Sequence, residues 1–173
     1  MQQTTLFDID LIRRYDKAGP RYTSYPTAVQ FQSGFDEAAY REYAQSSNAT
    51  GNPLSLYVHL PFCDTVCFYC ACNKIATKNR SLAVPYVARL QHEMALQSAL
   101  FNRERPVTQL HWGGGTPTFL SHTEMRDLMQ GTRAHFQLLD DDSGEYSIEI
   151  DPRETKEDTI AFLRELGFNR MSL

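Results

Sequence analysis

The chain has 173 residues, a net charge of −4 and a sequence pI of about 5.7. This acidic balance gives no overall attraction to nucleic acid or to an acidic membrane surface. The hydrophobic content of 42% is ordinary for a globular domain, and no apolar run approaches the roughly 20 residues that a membrane-spanning helix needs. The first residues, MQQTTLFDID, lack the features of a secretory signal, so we expect a cytoplasmic protein with reduced thiols.

The first 53 residues predict an N-terminal extension that precedes the regular fold. Its segment GPRYTSYPT, residues 19–27, is rich in turn-forming and aromatic residues, which argues against a continuous helix there. FDEAAYREYAQ, residues 35–45, predicts a short helix. SSNATGNP, residues 46–53, consists of turn-forming residues and predicts a loop.

A strand–helix repeat follows from residue 54 onward. Apolar runs rich in β-forming residues predict three strands, at LSLYVHL (54–60), VTQLHW (107–112) and EYSIEI (145–150). Amphipathic stretches predict three helices, at residues 81–100, 121–136 and 155–167. Ser121 and Glu124 form a capping-box pattern at the start of the second helix, and Gly167 is placed to end the third. This alternation predicts an α/β fold with a parallel sheet.

The segment RMSL, residues 170–173, predicts the start of a fourth strand. Three or four βα units cannot close an eight-stranded barrel. We therefore expect an N-terminal piece of a longer protein, with an incomplete (β/α) barrel over residues 54–173 behind the extension over residues 1–53.

The residues with the most chemical information follow the predicted strands. The cysteines come after the first strand, GGGTPT after the second and DPRE after the third. Because ligands bind at the carboxyl ends of parallel strands, we expect these three segments to meet at one rim of the sheet.

All four cysteines lie within HLPFCDTVCFYCACNK, as Cys63, Cys67, Cys70 and Cys72. Reducing conditions disfavour disulfides, and zinc sites usually use two separated pairs of ligands, whereas no second pair follows here. Thiolates also bind iron–sulfur clusters, and three ligands on a four-iron cluster leave one iron open. The iron–sulfur interpretation is favoured, with structural zinc and ordinary buried thiols as alternatives.

The spacing C-x3-C-x2-C after a first strand, with Tyr69 before the last cysteine, resembles the cluster motif of the radical S-adenosylmethionine (SAM) superfamily. The resemblance implies that Cys63, Cys67 and Cys70 bind a [4Fe-4S] cluster whose open iron is chelated by SAM. Cys72 would then be a small apolar neighbour that does not bind iron.

Further segments resemble the oxygen-independent coproporphyrinogen III oxidases (coproporphyrinogen dehydrogenases): RYTSYPT, SLYVHLPFC, ACNKI, QLHWGGGTPT, IEIDPRE and GFNRMSL. The resemblance implies that a 5′-deoxyadenosyl radical from SAM takes hydrogen from propionate side chains. Two propionates of coproporphyrinogen III then become vinyl groups, giving protoporphyrinogen IX in haem biosynthesis. It also implies an unidentified electron donor and acceptor, a monomer at full length, and no nucleic-acid or membrane partner.

Two other functions stay open. Haem chaperones share the cluster and the glycine-rich turn, although Cys72, Trp112 and RYTSYPT favour the oxidases. An inactive fragment that keeps the cluster ligands is the third hypothesis.

The resemblance also implies roles for rim residues. Gly114, Gly115 and Thr116 match positions that contact SAM, of which these enzymes hold two molecules. Tyr57 and Tyr69 match aromatic residues near SAM and the cluster, with a role in the core as the alternative for Tyr57.

The charged residues and histidines of the rim carry separate expectations. Glu149 matches a glutamate that binds the SAM ribose, with a salt bridge to Arg153 or another basic group as the alternative. Arg21 would bind substrate carboxylates, because a guanidinium pairs with them in a bidentate manner. His59 and His111 are interpreted as structural histidines.

Overall fold

The computed structural model describes residues 7–17 and 28–173. The chain divides into two compact units, of which one ends at Asp36 and the other spans Glu37–Leu173. The smaller unit contains helix α1, Ile9–Tyr15, whose N-terminal backbone N–H groups are capped by the Asp8 carboxylate. The RYTSYPT segment lies outside the described residues.

The larger unit alternates strands and helices. Its helices are α2 (Glu37–Thr50), α3 (Ala83–Ser98), α4 (His122–His135) and α5 (Glu157–Leu166). Its strands are β1 (Leu54–Leu60), β2 (Phe62–Cys63), β3 (Ile75–Ala76), β4 (Pro106–Gly114), β5 (Gln137–Leu138), β6 (Glu145–Glu149) and β7 (Arg170–Ser172). Within the ranges 7–17 and 28–173, none of the helices has the length and apolar character needed to cross a membrane.

The main sheet has five parallel strands, in the order β1-β4-β6-β7, with β5 paired to the start of β4. This confirms the predicted α/β fold with a parallel sheet. Strands β2 and β3 form a separate two-stranded parallel sheet. The predicted fourth strand is present as β7, beside β6.

The core lies between the sheet and its helices. Leu110 and Trp112 of β4 are fully buried there, while His111 between them is only half-buried on the other face. Helix α4 has the predicted capping box at Ser121. It buries one face against the sheet, with Met125, Leu128, Met129 and Thr132. Side chains alternate between the two faces of the sheet along β4, so polar side chains such as His111 lie on the face away from the helices.

Two predicted boundaries are wrong. Helix α2 continues to Thr50, through residues expected to form a loop, because Asn48 binds the backbone of Leu100 and Asn102 at 2.9 and 3.0 Å. Strand β4 continues through Gly113 and Gly114, because both pair with the end of β1. The domain division at residue 53 stays a prediction.

Candidate cofactor site

Parallel register places three polar side chains in one row on the face of the sheet that lies away from the helices. Tyr57 of β1 pairs with His111 of β4, which pairs with Ser147 of β6. The Tyr57 and His111 rings stack with centroids 5.7 Å apart, and His111 Nδ1 lies 2.6 Å from Ser147 Oγ. His59 and Glu149 lie two residues further along β1 and β6, so they continue this face toward the carboxyl ends of the strands.

The Glu149 carboxylate is held through both of its oxygens. Oε2 accepts a hydrogen bond of 3.0 Å from the backbone N–H of Gly114, and Oε1 lies 3.3 Å from His111 Nε2. The predicted alternative is a pair with Arg153 or another basic group. Arg153 instead pairs with Asp151 at 2.6 Å, and the basic residue beside Glu149 is His111. The carboxylate also raises the pKa of the nearby Tyr57 hydroxyl, although burial of that hydroxyl is the larger cause.

The glycine run from Gly113 to Gly115 is closely packed against the chain itself. A Cβ on Gly114, whose φ is +108°, would lie 2.3 Å from Cε1 of His59. A Cβ on Gly115 would lie 2.6 Å from the carbonyl oxygen of Phe62. The backbone N–H groups of Gly115 and Thr116 donate to the carbonyls of Leu60 and Phe62, each at 2.8 Å. Glycine is therefore required here for contact between two chain segments, which the sequence analysis did not anticipate.

The first cysteine is fixed at the base of its loop. Cys63 is buried in β2, and its carbonyl accepts a hydrogen bond of 2.9 Å from Thr77 N–H on the returning chain. His59 Nε2 lies 3.0 Å from the Asn73 carbonyl, which ties the end of the loop to β1. The thiol is also within 3.8 Å of the Thr116 hydroxyl, which donates to it.

The other cysteines lie on the more exposed part of the loop. Cys67 and Cys70 are half-buried, and Cys72 is exposed. A turn joins the first two, with Cys70 N–H donating to the Cys67 carbonyl at 3.2 Å. The segment after β6 contacts this loop, since Arg153 Nη2 lies 3.9 Å from Cys67 Sγ.

The thiols differ in how readily they ionise. Burial raises the pKa of Cys63, and the hydrogen bond from Thr116 opposes that effect. The backbone N–H of Cys72, followed by the Lys74 ammonium group, lowers the pKa of Cys70. Burial and then the hydrogen bond with Cys70 raise the pKa of Cys72.

All four thiols line one cavity of about 540 Å³, together with the glycine-rich turn, Glu149, Asp151 and Arg153. Among the described residues, however, no group of three or more His, Cys, Asp or Glu side chains is close enough to hold a metal ion. Three thiols that share a cavity, two of them facing the donors Thr116 and Arg153, fit the thiolate ligand set of an iron–sulfur cluster. The chain thus places the cysteine thiols, as candidate ligands, around one cavity, and it does not fix their final coordination geometry.

Two further residues were predicted to belong to the site, Tyr69 and Arg21. Tyr69 lines the cavity but is 87% exposed, and Arg21 lies outside the described residues. The sequence analysis missed the contacts of Arg153 and Ser147. An acid–arginine pair two residues apart after a strand could have suggested the first, and strand register could have suggested the second.

Comparisons with known proteins agree on one family. A profile of the radical SAM superfamily matches residues 57–173. The chain is 57% identical over 173 residues to the oxygen-independent coproporphyrinogen III oxidase of Pseudomonas aeruginosa, covering 100% of this chain and 38% of that protein. It is 44% identical over 147 residues to the protein of the same name from Mannheimia haemolytica, covering 85% of this chain and 97% of that one.

A solved structure is similar as well. Coproporphyrinogen III oxidase from Escherichia coli, described as a radical SAM enzyme, matches with a TM-score of 0.79 and 42% identity. The match covers 98% of this chain and 36% of the Escherichia coli chain. The chain thus spans little more than a third of the length of the Pseudomonas and Escherichia coli proteins.

Proposed function

The chain belongs to the radical SAM superfamily and, within it, to the oxygen-independent coproporphyrinogen III oxidase family, and from this premise we propose that it carries the cluster and SAM sites of such an enzyme. The reaction would convert two propionate side chains of coproporphyrinogen III to vinyl groups, with loss of CO₂, to give protoporphyrinogen IX. The observation that carries the proposal is the single cavity that the cysteines, the glycine-rich turn and Glu149 line together.

Cys63, Cys67 and Cys70 would hold a [4Fe-4S] cluster at this cavity. The lowered pKa of Cys70 supports its role, because the thiolate is the form that binds iron. The position of Cys72 outside the C-x3-C-x2-C spacing supports its exclusion from the ligand set. When bound, the cluster and SAM supply the one-electron chemistry that starts hydrogen abstraction from a propionate.

Glu149, Gly114, Gly115 and Thr116 would hold SAM beside the cluster. Glu149 uses one acceptor position on each oxygen for the protein, so its remaining lone pairs are available to ribose hydroxyls. Tyr57 and Tyr69 would contribute aromatic contacts with the cofactor. The cavity volume of about 540 Å³ is within the roughly 300–1,000 Å³ usual for small-molecule sites. The family resemblance extends the proposal to two SAM molecules.

The enzyme would act with a substrate and with two redox partners. Coproporphyrinogen III carries four carboxylates, which Arg21 would help to bind through its guanidinium. An electron donor and an acceptor, both unidentified, would act with a monomeric enzyme. The four free thiols suit a reducing compartment, so the proposal places the protein in the cytoplasm.

Anaerobic turnover tests the proposal. The protein, in the longest form that its reading frame encodes, is given iron and sulfide and then incubated with SAM, a reductant and coproporphyrinogen III. We expect porphyrins with one and then two vinyl groups, separated by chromatography after oxidation. A cluster-containing protein that binds haem but forms no vinyl product would contradict the proposal and favour a haem chaperone.

A further inference from the structure

We propose that His111 is a positioning residue that sets the orientation of the Glu149 carboxylate, and that Ser147 holds the far side of the ring in the tautomer that this contact requires. The inference rests on the proposed role of Glu149 in SAM binding. It assigns a task to a histidine that the sequence alone left as a structural residue.

The geometry places His111 between two partners. Its Nδ1 atom is 2.6 Å from Ser147 Oγ, and its Nε2 atom is 3.3 Å from Glu149 Oε1. Stacking on Tyr57 holds the plane of the ring. Gly113 makes the contact possible, because a Cβ there would lie 2.7 Å from His111 Nε2 and 2.9 Å from Glu149 Cδ.

The chemistry of the partners selects one tautomer. An ionised carboxylate only accepts hydrogen bonds, so Nε2 must carry a proton to bind Glu149. A neutral imidazole then has no proton on Nδ1, and the Ser147 hydroxyl must donate to it. Ser147 Oγ also lies 3.4 Å from the Leu110 carbonyl, but the contact of 2.6 Å with His111 is much the shorter. In the neutral ring that we propose, the serine hydroxyl donates to His111 rather than to the Leu110 carbonyl.

This arrangement prepares the carboxylate before a ligand arrives. The backbone N–H of Gly114 binds one oxygen and His111 binds the other, so rotation about the last bond of the Glu149 side chain is restricted. Binding of a ribose diol to a fixed carboxylate avoids the entropy cost of ordering that side chain. Loss of His111 should therefore weaken SAM binding, and it should do so only because the Glu149 carboxylate loses its orientation.

The tautomer can be measured without the cofactor. In the full chain prepared without a cluster, long-range proton–nitrogen NMR of ¹⁵N-labelled histidine should show His111 protonated at Nε2 and unprotonated at Nδ1. The His111→Gln spectrum identifies the signal among the five histidines. Glu149→Gln, whose amide can donate or accept, should give a mixture of tautomers. A wild-type His111 protonated at Nδ1, or a Glu149→Gln spectrum that keeps Nε2 as the single protonated nitrogen, would overturn the inference.

SAM affinity tests the consequence. In the cluster-containing protein, equilibrium dialysis should give a Kd about fivefold higher for His111→Phe, the effect of one lost hydrogen bond. His111→Gln, whose amide nitrogen can replace Nε2–H, should restore most of the affinity, whereas His111→Asn, which mimics the Nδ1 side, should not. His135→Phe is a matched control, because His135 also contacts a serine, Ser98, at 3.2 Å but lies on α4.

A double variant separates this inference from the proposed function. If His111 acts through Glu149, then His111→Phe with Glu149→Gln should bind SAM no more weakly than Glu149→Gln alone. Additive losses would overturn the positioning role while leaving the SAM site intact. Wild-type protein that holds a cluster but does not bind SAM would instead overturn the proposed function.

Discussion

The two sides of the cavity differ in how the chain holds them. The strand-end side, formed by Glu149, Gly114 and Gly115, is fixed by sheet register, by the hydrogen bonds of Glu149 and by close packing of the glycines. The loop side, from Cys67 to Cys72, has one internal turn and a contact of 3.9 Å with Arg153. Phe68 and Tyr69 at its tip are almost fully exposed.

This difference predicts how each half responds to substitution. Residues at strand ends inherit their positions from the fold, so the proposed SAM contacts depend on the same register and packing as the sheet. Among the described residues the loop thiols share a cavity without forming a grouped metal site, so under the proposed function the cluster would complete their arrangement. Changes on the loop should therefore remove the cluster with little effect on the fold, and changes at the strand ends should destabilise the fold itself.

The largest effect is expected from the loop cysteines. Cys67→Ser should reduce bound iron from about four atoms per chain to nearly none, with loss of the brown iron–sulfur absorption, because a cluster needs each thiolate. The unfolding free energy of the cluster-free chain should stay within about 0.5 kcal/mol of wild type, since the residue lies on an exposed part of the loop. Iron analysis and urea unfolding measure the two quantities.

Cys72→Ser is the matched control, two residues beyond the last proposed ligand. It should keep both the iron and the absorption, because Cys72 is exposed and lies outside the C-x3-C-x2-C spacing of the three proposed ligands. If the absorption vanished in both variants, the assignment of three ligands would fail.

The second effect concerns the glycine run. Gly115→Ala should destabilise the cluster-free chain by about 3 kcal/mol, roughly 100-fold in the folding equilibrium, because its Cβ collides with backbone that cannot move freely. The colliding atoms are the Phe62 and Leu60 carbonyl oxygens and the Pro61 carbonyl carbon, all within 2.8 Å. Urea unfolding followed by circular dichroism measures the change.

Gly131→Ala provides the opposite case. This glycine lies inside α4, and a Cβ there meets its nearest atom, Cγ of Gln91, at an ordinary 3.4 Å. Alanine should stabilise the chain by up to about 1 kcal/mol through helix propensity. Equal destabilisation by the two substitutions would show that the strand-end side is no more tightly packed than a helix surface.

The sequence predicted most of the fold because its signals are local. Periodicity located β1, β6 and α4, and the Ser121–Glu124 pair located a helix start to the residue. Helix α2 was predicted too short because its last residues are polar turn formers. They stay helical through long-range hydrogen bonds, such as those from Arg105 to Ser47 and Asn48, which no local pattern contains.

The candidate site was predictable as a set of segments but not as a set of contacts. Strand order and the cysteine spacing were enough to place the three segments on one rim. The partner of Glu149 was not predictable, because it depends on register across three strands and on the room that Gly113 leaves. Sequence proximity favoured Arg153, but that side chain pairs with Asp151 instead.

The smallest effect separates the base of the cysteine loop from its more exposed part by thiol reactivity. In the cluster-free chain, iodoacetamide at neutral pH should label Cys70 at least about tenfold faster than Cys63, because the thiolate is the reactive form. Burial raises the pKa of Cys63, whereas the Cys72 backbone N–H and Lys74 lower that of Cys70. Mass spectrometry of peptides after timed labelling measures both rates.

The pH dependence gives this last prediction its sign. A lowered pKa means that the Cys70 rate should level off below the ordinary thiol pKa of about 8.5, while the raised pKa of Cys63 makes its rate continue to rise above it. Thr116→Val should slow Cys63 further, because it removes the hydrogen bond that opposes burial. Equal labelling rates and equal pH profiles for Cys63 and Cys70 would mean that the two thiols have the same environment. That result would contradict the difference between the base of the loop and its tip.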